Sequence, residues 1–301
     1  MRLVSRADID DLKWNQVILN ATCFRHYGLT YFLDACAPNW EAIIWGDYEI
    51  VWPLPVKSFP VKRVFQPLLA QQLGPFSASV IDSKTIDDAL ALIQTRFKSV
   101  NVKFNETVNE LSLLPLTNHL NVELSLSSDY ETLRQAYNRN VKSNLKKAEK
   151  SNVLVKRNDD AFAFVIEAFK KGERAENTIL NGAFYQDVSN IYRAFLKRGE
   201  AECYIALINE QPVAGQLILT SGGRILNFFT ASTSAARSTG AMHAIIDFVI
   251  QQFSTKALAL DFEGSNDESL RFFYQSFGGT EKVYLQAQFN TLIWPLNKLI
   301  K

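Results

Sequence analysis

The chain is 301 residues long, 47% hydrophobic and 21% charged, enough for one large or two ordinary domains with packed cores. Thirty-two basic residues against thirty-one acidic ones leave a net charge of +1, which excludes a chain-wide electrostatic footprint for DNA or for an acidic membrane surface. Cys23, Cys36 and Cys203 contain no C-x-x-C pair, and His26, His119 and His243 are scattered, so the expectation is a reducing compartment and no metal.

In chain order, MRLVSRADIDDLKW places acids where a signal peptide needs an apolar core, and no run approaches the roughly 18 apolar residues of a membrane span. A cytoplasmic protein is expected. The segment 41–58, EAIIWGDYEIVWPLPVKS, reads as strand, Gly-Asp turn, strand. The segment 64–77, VFQPLLAQQLGPFS, sets two prolines, a glycine and three glutamines among apolar residues, and reads either as a loop lining a cleft or as a plain surface connection. In TIDDALALIQTRF, Ile86, Leu90, Ile93 and Phe97 recur at helical spacing, and VKFNETV follows as a strand.

Ser128 with Glu131 forms a capping box, which predicts one helix from about Asp129 to Lys150. Lys142, Lys146 and Lys150 fall at i, i+4 spacing on it and Arg139 joins them three residues earlier, a face that is either simply solvated or suited to an anion.

The runs CYIALI, VAGQLILT and RILNFFTA, separated by NEQP and SGG, predict a three-stranded antiparallel meander. Met242, Ile245, Ile246, Val249, Ile250 and Phe253 then form the apolar face of a helix about three turns long. ALALDFEG supplies a short strand, parallel to its predecessor because a crossover helix joins them. A helix capped by Asn266 or Asp267 and stopped by Gly278 and Gly279 follows, and KVYLQAQFN is the last strand. His243 and Asp247 lie off the apolar face and are expected to pair at the surface. Asp261 and Glu263, at i and i+2 of one strand end, point to one side and would raise each other's proton affinity; they are candidate bases, or else a helix cap and an ion-pair partner.

This order resembles the GNAT acyltransferase superfamily, in which Q/R-x-x-G-x-G/A opens the crossover helix and its N–H groups hold the pyrophosphate of acyl-CoA. Arg237, Ser238, Thr239, Gly240 and Ala241 occupy that motif here, with Met242 where a small residue is usual. A helix start with glycine and alanine leaves unpaired N–H groups and a positive dipole end open to phosphate. The resemblance further implies that Asn227 and Phe228, in the preceding strand, belong to the donor site, and that Tyr274 protonates the departing thiolate; on its residues alone Tyr274 could equally be a packed aromatic beside Phe272, Phe273 and Phe277.

The basic segment YNRNVKSNLKKAEKSNVLVKR, 137–157, looks like the corresponding stretch of FemABX-type proteins, which have two GNAT-like domains. The fold class expected is therefore α+β (mixed α/β), with two tandem GNAT-like domains, each a mixed, mostly antiparallel sheet flanked by helices: a degenerate one over 1–121 and one with the donor site over 122–301. The first half is acidic at DSKTIDDAL, where a phosphate would be repelled. The resemblance implies transfer of an acyl group from acyl-CoA, or a related activated donor, to an amine acceptor, a small molecule or peptide, with Arg139, Lys142 and Lys146 as substrate or anion contacts. Aminoacyl-tRNA as donor, with a peptidoglycan or cell-envelope precursor as acceptor, is the alternative; a binding protein without catalysis is another.

Overall fold

The computed structural model describes residues 1–172, 180–263 and 266–295. The chain divides into two compact units, one of Met1–Leu120 with Val283–Lys301 and one of Asn121–Lys282. The expected second domain ran to residue 301; here the chain from Val283 belongs to the first unit, because Gln286–Asn290 pair antiparallel with Ser99–Lys103.

In the first unit, β1 (Arg2–Ser5), β2 (Glu41–Trp45), β3 (Ile50–Leu54) and β6 (Phe76–Ser77) form an antiparallel sheet in the order β1–β2–β3–β6. The helices α1 (Asp11–Asn20) and α2 (Thr30–Cys36) lie between β1 and β2 in sequence. The strands β4 (Val56–Lys57), β5 (Arg63–Val64) and β7 (Ser99–Lys103) continue to residues 283–290 of β14 (Thr280–Asn290) in a second sheet. Asp82 caps α3 (Ser83–Arg96) through the Thr85 N–H at 2.8 Å, and Ile86, Leu90 and Ile93 bury the predicted stripe against Trp52, Val100 and Val102.

The second unit holds a sheet in the order β8–β13–β12–β11–β10–β9, comprising residues 121–125 of β8 (Leu116–Ser125), β9 (Leu154–Arg157), β10 (Ala201–Ile208), β11 (Gln211–Ser221), β12 (Arg224–Ser232) and β13 (Ala259–Asp261). The meander β10–β11–β12 has two two-residue turns, Asn209-Glu210 and Gly222-Gly223, with positive φ at every position, the geometry that matches strand twist. β13 is parallel to β12, as the crossover helix requires.

The basic stretch forms two helices where one was expected: α4 (Tyr130–Gln135) and α5 (Arg139–Lys150). Asp129, not Ser128, caps α4 through Thr132 N–H at 2.9 Å, and Asn138 starts a new helix by accepting Val141 N–H at 3.0 Å. Helices α6 (Phe162–Lys170) and α7 (Gly182–Leu196) precede the meander, and Gly215 of β11 admits Val165 of α6. Helix α8 (Ala241–Phe253) is the crossover and α9 (Glu268–Gln275), capped by Asp267, follows β13. Val141 and Leu145 of α5 share one core with Ile245, Ile246, Val249 and Ile250 of α8 and with Ile218 and Ile225 of the sheet. No helix among the described residues is long and apolar enough to cross a membrane.

His243 and Asp247 do not pair at the surface. Asp247 is partly buried and accepts the Tyr130 hydroxyl at 2.9 and 3.0 Å, while the His243 ring packs edge-on against Phe273 at 4.9 Å. An i, i+4 pair fails here because the ring end of α9 and the tyrosine of α4 reach these side chains first.

Candidate active site

The site is built where β12 parts from its neighbours. Leu217 faces Phe229 and Ile218 faces Asn227, so Phe228 is the extra residue of a β-bulge. The parallel pairing with β13 covers only Arg224–Leu226, and from Asn227 onward that edge of β12 has no strand partner among the described residues. Below the bulge, Arg224 and Glu123 form an ion pair at 2.7 Å with both side chains largely enclosed, which pins β12 to β8.

Asn227, buried at the bulge, accepts from Gln216 Nε2 at 2.9 Å and donates its own amide to the Tyr274 hydroxyl at 3.1 Å and to the Phe262 carbonyl at 3.3 Å. The Tyr274 ring is stacked on Phe262 with centroids 4.6 Å apart and 13° between planes. Packing and hydrogen bonding together fix the phenol in one position. Its oxygen receives a hydrogen bond from Asn227, which favours orientation of the hydroxyl without consuming its proton.

That phenol borders a cavity of about 430 Å³. Phe169 of α6, Thr230 and Ser232 at the end of β12, Met242 and Ile246 of α8, and Leu270 and Phe273 of α9 line it together with Arg237 and Tyr274. Its lining is mixed, with Thr230, Ser232, Arg237, Ser269 and Tyr274 set among apolar side chains, a concave site of a size that suits a small molecule.

The turn into α8 explains the bare start of that helix. Gly240 has φ +75°, a left-handed conformation that favours glycine, and a β-carbon there would overlap the carbonyl oxygen of Asn144 on α5. Thr239 Oγ donates to the Ala236 carbonyl at 2.8 Å, Ala241 is fully buried, and Arg237 and Ser238 are exposed. Asp or Asn side chains cap α1, α3, α4, α5, α7 and α9, whereas α2, α6 and α8 have no side-chain cap. The first-turn N–H groups of α8, with the positive end of the helix dipole, take no side-chain acceptor.

Of the predicted residues, Arg237 and Tyr274 line the cavity, and Met242, the departure from the motif, lines it with them. Asn227 reaches the site as the partner of Tyr274 and Phe228 as the bulge. Asp261 is 2% exposed and its Oδ1 accepts from Asn121 Nδ2 at 2.9 Å and from the Glu263 N–H at 3.1 Å, closing the turn after β13. The strand ends at Asp261 and Glu263 has φ +55°, so strand alternation does not carry over to Glu263.

Lys142 donates to the Gln135 carbonyl at 3.1 Å and, with Lys146, lines a separate depression of about 380 Å³ beside Glu131, Arg134 and Glu149. Arg139 is exposed at the start of α5 and lines neither cavity. The basic residue that acts electrostatically on α8 is Lys147, which sits close enough to disfavour protonation of His243. Burial first, and Lys147 second, push the His243 imidazole down to about 4, so it is neutral near pH 7. The wall supplied by Phe169 carried no sequence signal, while Lys147, one of the basic residues of 137–157, is turned by the 100° step per residue from the Lys142–Lys146 face toward α8.

Residues 135–268 match the family described as Acetyltransferase (GNAT) domain. No curated protein matches the sequence. Among solved structures, FemX matches over 100% of both chains with TM-score 0.66 and 13% identity. The C-terminal domain of a putative lysylphosphatidylglycerol synthetase from Agrobacterium fabrum matches over 96% of this chain and 93% of that one, with TM-score 0.59 and 8% identity. A tandem GNAT protein from the clavulanic acid biosynthesis pathway matches over 95% and 98%, with TM-score 0.51 and 13% identity. At these identities the likeness is one of fold. Residues 135–268 therefore match a GNAT acetyltransferase domain, and along its length the chain shares the fold of FemX and of a tandem GNAT protein.

Proposed function

We propose that this protein transfers an acyl group from acyl-CoA, or a related activated donor, to an amine acceptor. The observation that carries the reading is that Tyr274, fixed by Asn227 and Phe262, borders the same cavity as Arg237 and the uncapped start of α8. The donor's phosphates would lie at that helix start with Arg237, and its thioester would enter the cavity beside the part of β12 that extends past its pairing with β13.

In this mechanism the amine nitrogen attacks the thioester carbon, the tetrahedral intermediate collapses with breakage of the C–S bond, and the Tyr274 hydroxyl gives its proton to the departing thiolate. The phenolate regains a proton from solvent. Asp261 shapes the turn, and Glu263 is assigned the proton released by the amine. The acceptor is a small molecule, peptide or cell-envelope precursor bearing an amine, and the reading places the protein in the cytoplasm, where such donors are made. Tyr274→Phe tests it: turnover should fall while donor affinity is retained, and unchanged turnover removes Tyr274 from the mechanism.

A second reading rests on the exposed basic side of α5, where Arg139, Lys142, Lys146, Lys147 and Lys150 are all accessible. Such a side suits the phosphates of an aminoacyl-tRNA donor. Binding that weakens steeply with salt, and less steeply when Lys146 and Lys147 are neutralised, is its signature. A flat salt response contradicts it.

A further inference from the structure

The first unit carries a cation that nothing in the transfer reaction uses. Val100 and Val102 of β7 face the core, which puts Asn101 and Lys103 on the opposite side of the strand. Lys103 is directly across from Gln286 of β14 in the antiparallel register. Gln286 Oε1 accepts from His119 Nε2 at 2.6 Å, so that nitrogen carries the proton, and Gln286 Nε2 donates to Asn101 Oδ1 at 2.6 Å. The His119 ring is stacked on Tyr284 with centroids 5.3 Å apart, which holds the chain of amides at its origin.

The polarity of this chain has a consequence. Each amide oxygen is consumed and each amide nitrogen is passed on, so the row ends in the Asn101 NH2 group, which has no protein acceptor among the described residues. Two residues along the same strand and on the same side stands the Lys103 ammonium, half-buried and likewise without a side-chain hydrogen bond or ion pair among the described residues. Burial alone lowers its proton affinity, since no charged group acts on it.

The surroundings supply no counter-charge. Residues 99–103, 116–120 and 283–290 contain no carboxylate. The nearest acid along the chain, Glu106, is held at 3.0 Å by Arg25, whose guanidinium is itself buried. The loop after β5 is strapped to this spot, with Gln66 Oε1 accepting the Lys103 N–H at 3.0 Å and Leu73 N–H donating to the Lys103 carbonyl at 2.7 Å, and residues 66–75 carry no charge either. Both groups lie at a partly buried surface of the strand, where an anion could take the place of water as their acceptor.

We propose that Lys103 and Asn101, oriented by the His119–Gln286 chain, form a binding site for an oxyanion, the carboxylate or phosphate group of a small-molecule ligand. This site is independent of the donor reading, which rests on residues of the other unit.

The test is thermal unfolding of the full-length protein in inorganic phosphate, in citrate and in chloride at matched ionic strength, with isothermal titration of the effective anion. Phosphate or citrate should raise the midpoint above that in chloride, the more effective of the two naming the ligand class. Lys103→Gln should weaken the anion at least about tenfold, the factor carried by a lost charge-assisted contact, while Lys103→Arg and Arg237→Gln retain most of the effect. Should Lys103→Gln fold poorly, Asn101→Asp, which supplies the missing carboxylate within the chain, should abolish the anion dependence. No anion-specific shift in the wild type, or a shift that survives both Lys103→Gln and Asn101→Asp, overturns the proposal.

Discussion

The α-carbon of Gly240 packs against the main-chain carbonyl of Asn144 with no room for a β-carbon between them, so the glycine that opens the crossover helix α8 is required by its neighbour α5. The same residue leaves the helix start open to an anion. Steric need and ligand access therefore coincide at one position, and the two can be separated by experiment.

Gly240→Ala should destabilise the fold as well as any donor binding. The left-handed conformation costs an alanine about 1–2 kcal/mol, and the backbone overlap with Asn144 adds to it, so a total loss above about 2 kcal/mol is expected in urea unfolding. A variant that unfolds like the wild type but binds no donor would mean that the glycine serves the ligand alone.

Met242 stands where the superfamily motif usually has a small residue, and it lines the cavity. Met242→Ala should enlarge the chamber and shift the ratio of kcat/KM toward longer acyl groups by about tenfold per methylene or two accommodated. Acyl-CoA donors of increasing chain length read this directly. An unchanged preference would remove Met242 from the acyl pocket.

The folded-state imidazole of His243 is pushed down from 6.5 to about 4 by burial and by Lys147. A depressed value means that the unfolded chain takes up a proton that the folded chain refuses. Stability is then intact above pH 6.5 and is lost as the pH falls from 6.5 toward about 4. Asp247, raised by its own burial, acts with the opposite sign in the acid part of that range. His243→Gln should flatten the decline in unfolding midpoint between pH 7 and about pH 5; an equal decline in both proteins would contradict the assignment.

Asn227→Ala should lower both stability and turnover. It strips the buried Gln216 amide of its acceptor, a loss of about 1–3 kcal/mol, and releases the Tyr274 hydroxyl. Substitution at Asn227 should leave donor affinity near that of the wild type, as titration of the binding site will show.

Much of this fold was legible because it rests on local rules. The meander, the crossover helix and the α9 cap follow from alternation, turn residues and apolar spacing, each confined to a short window. The division of the basic helix was not, because Asn138 reads as an ordinary helical residue until it is seen accepting Val141 N–H and donating its own N–H to the Ser276 carbonyl at 2.9 Å. Arg237 and Tyr274, singled out by motif spacing, do line one cavity. The role of Asn227 was not legible, since it depends on a bulge at Phe228 and on a tyrosine 47 residues away, relations that only the folded sheet creates. Asp261 and Glu263 suggested a carboxylate pair because alternation was carried past the point where β13 stops.

An acyl-CoA-like donor is expected to occupy the cavity lined by β12, α8 and α9. Calorimetric titration of acetyl-CoA, a longer acyl-CoA and CoA into the wild type and into Arg237→Ala measures that occupancy most directly. Saturable one-to-one binding by the wild type, weakened about tenfold in Arg237→Ala as expected for a lost charge-assisted phosphate contact, is the predicted result. No heat of binding from any of the three ligands would contradict acyl-CoA as the donor.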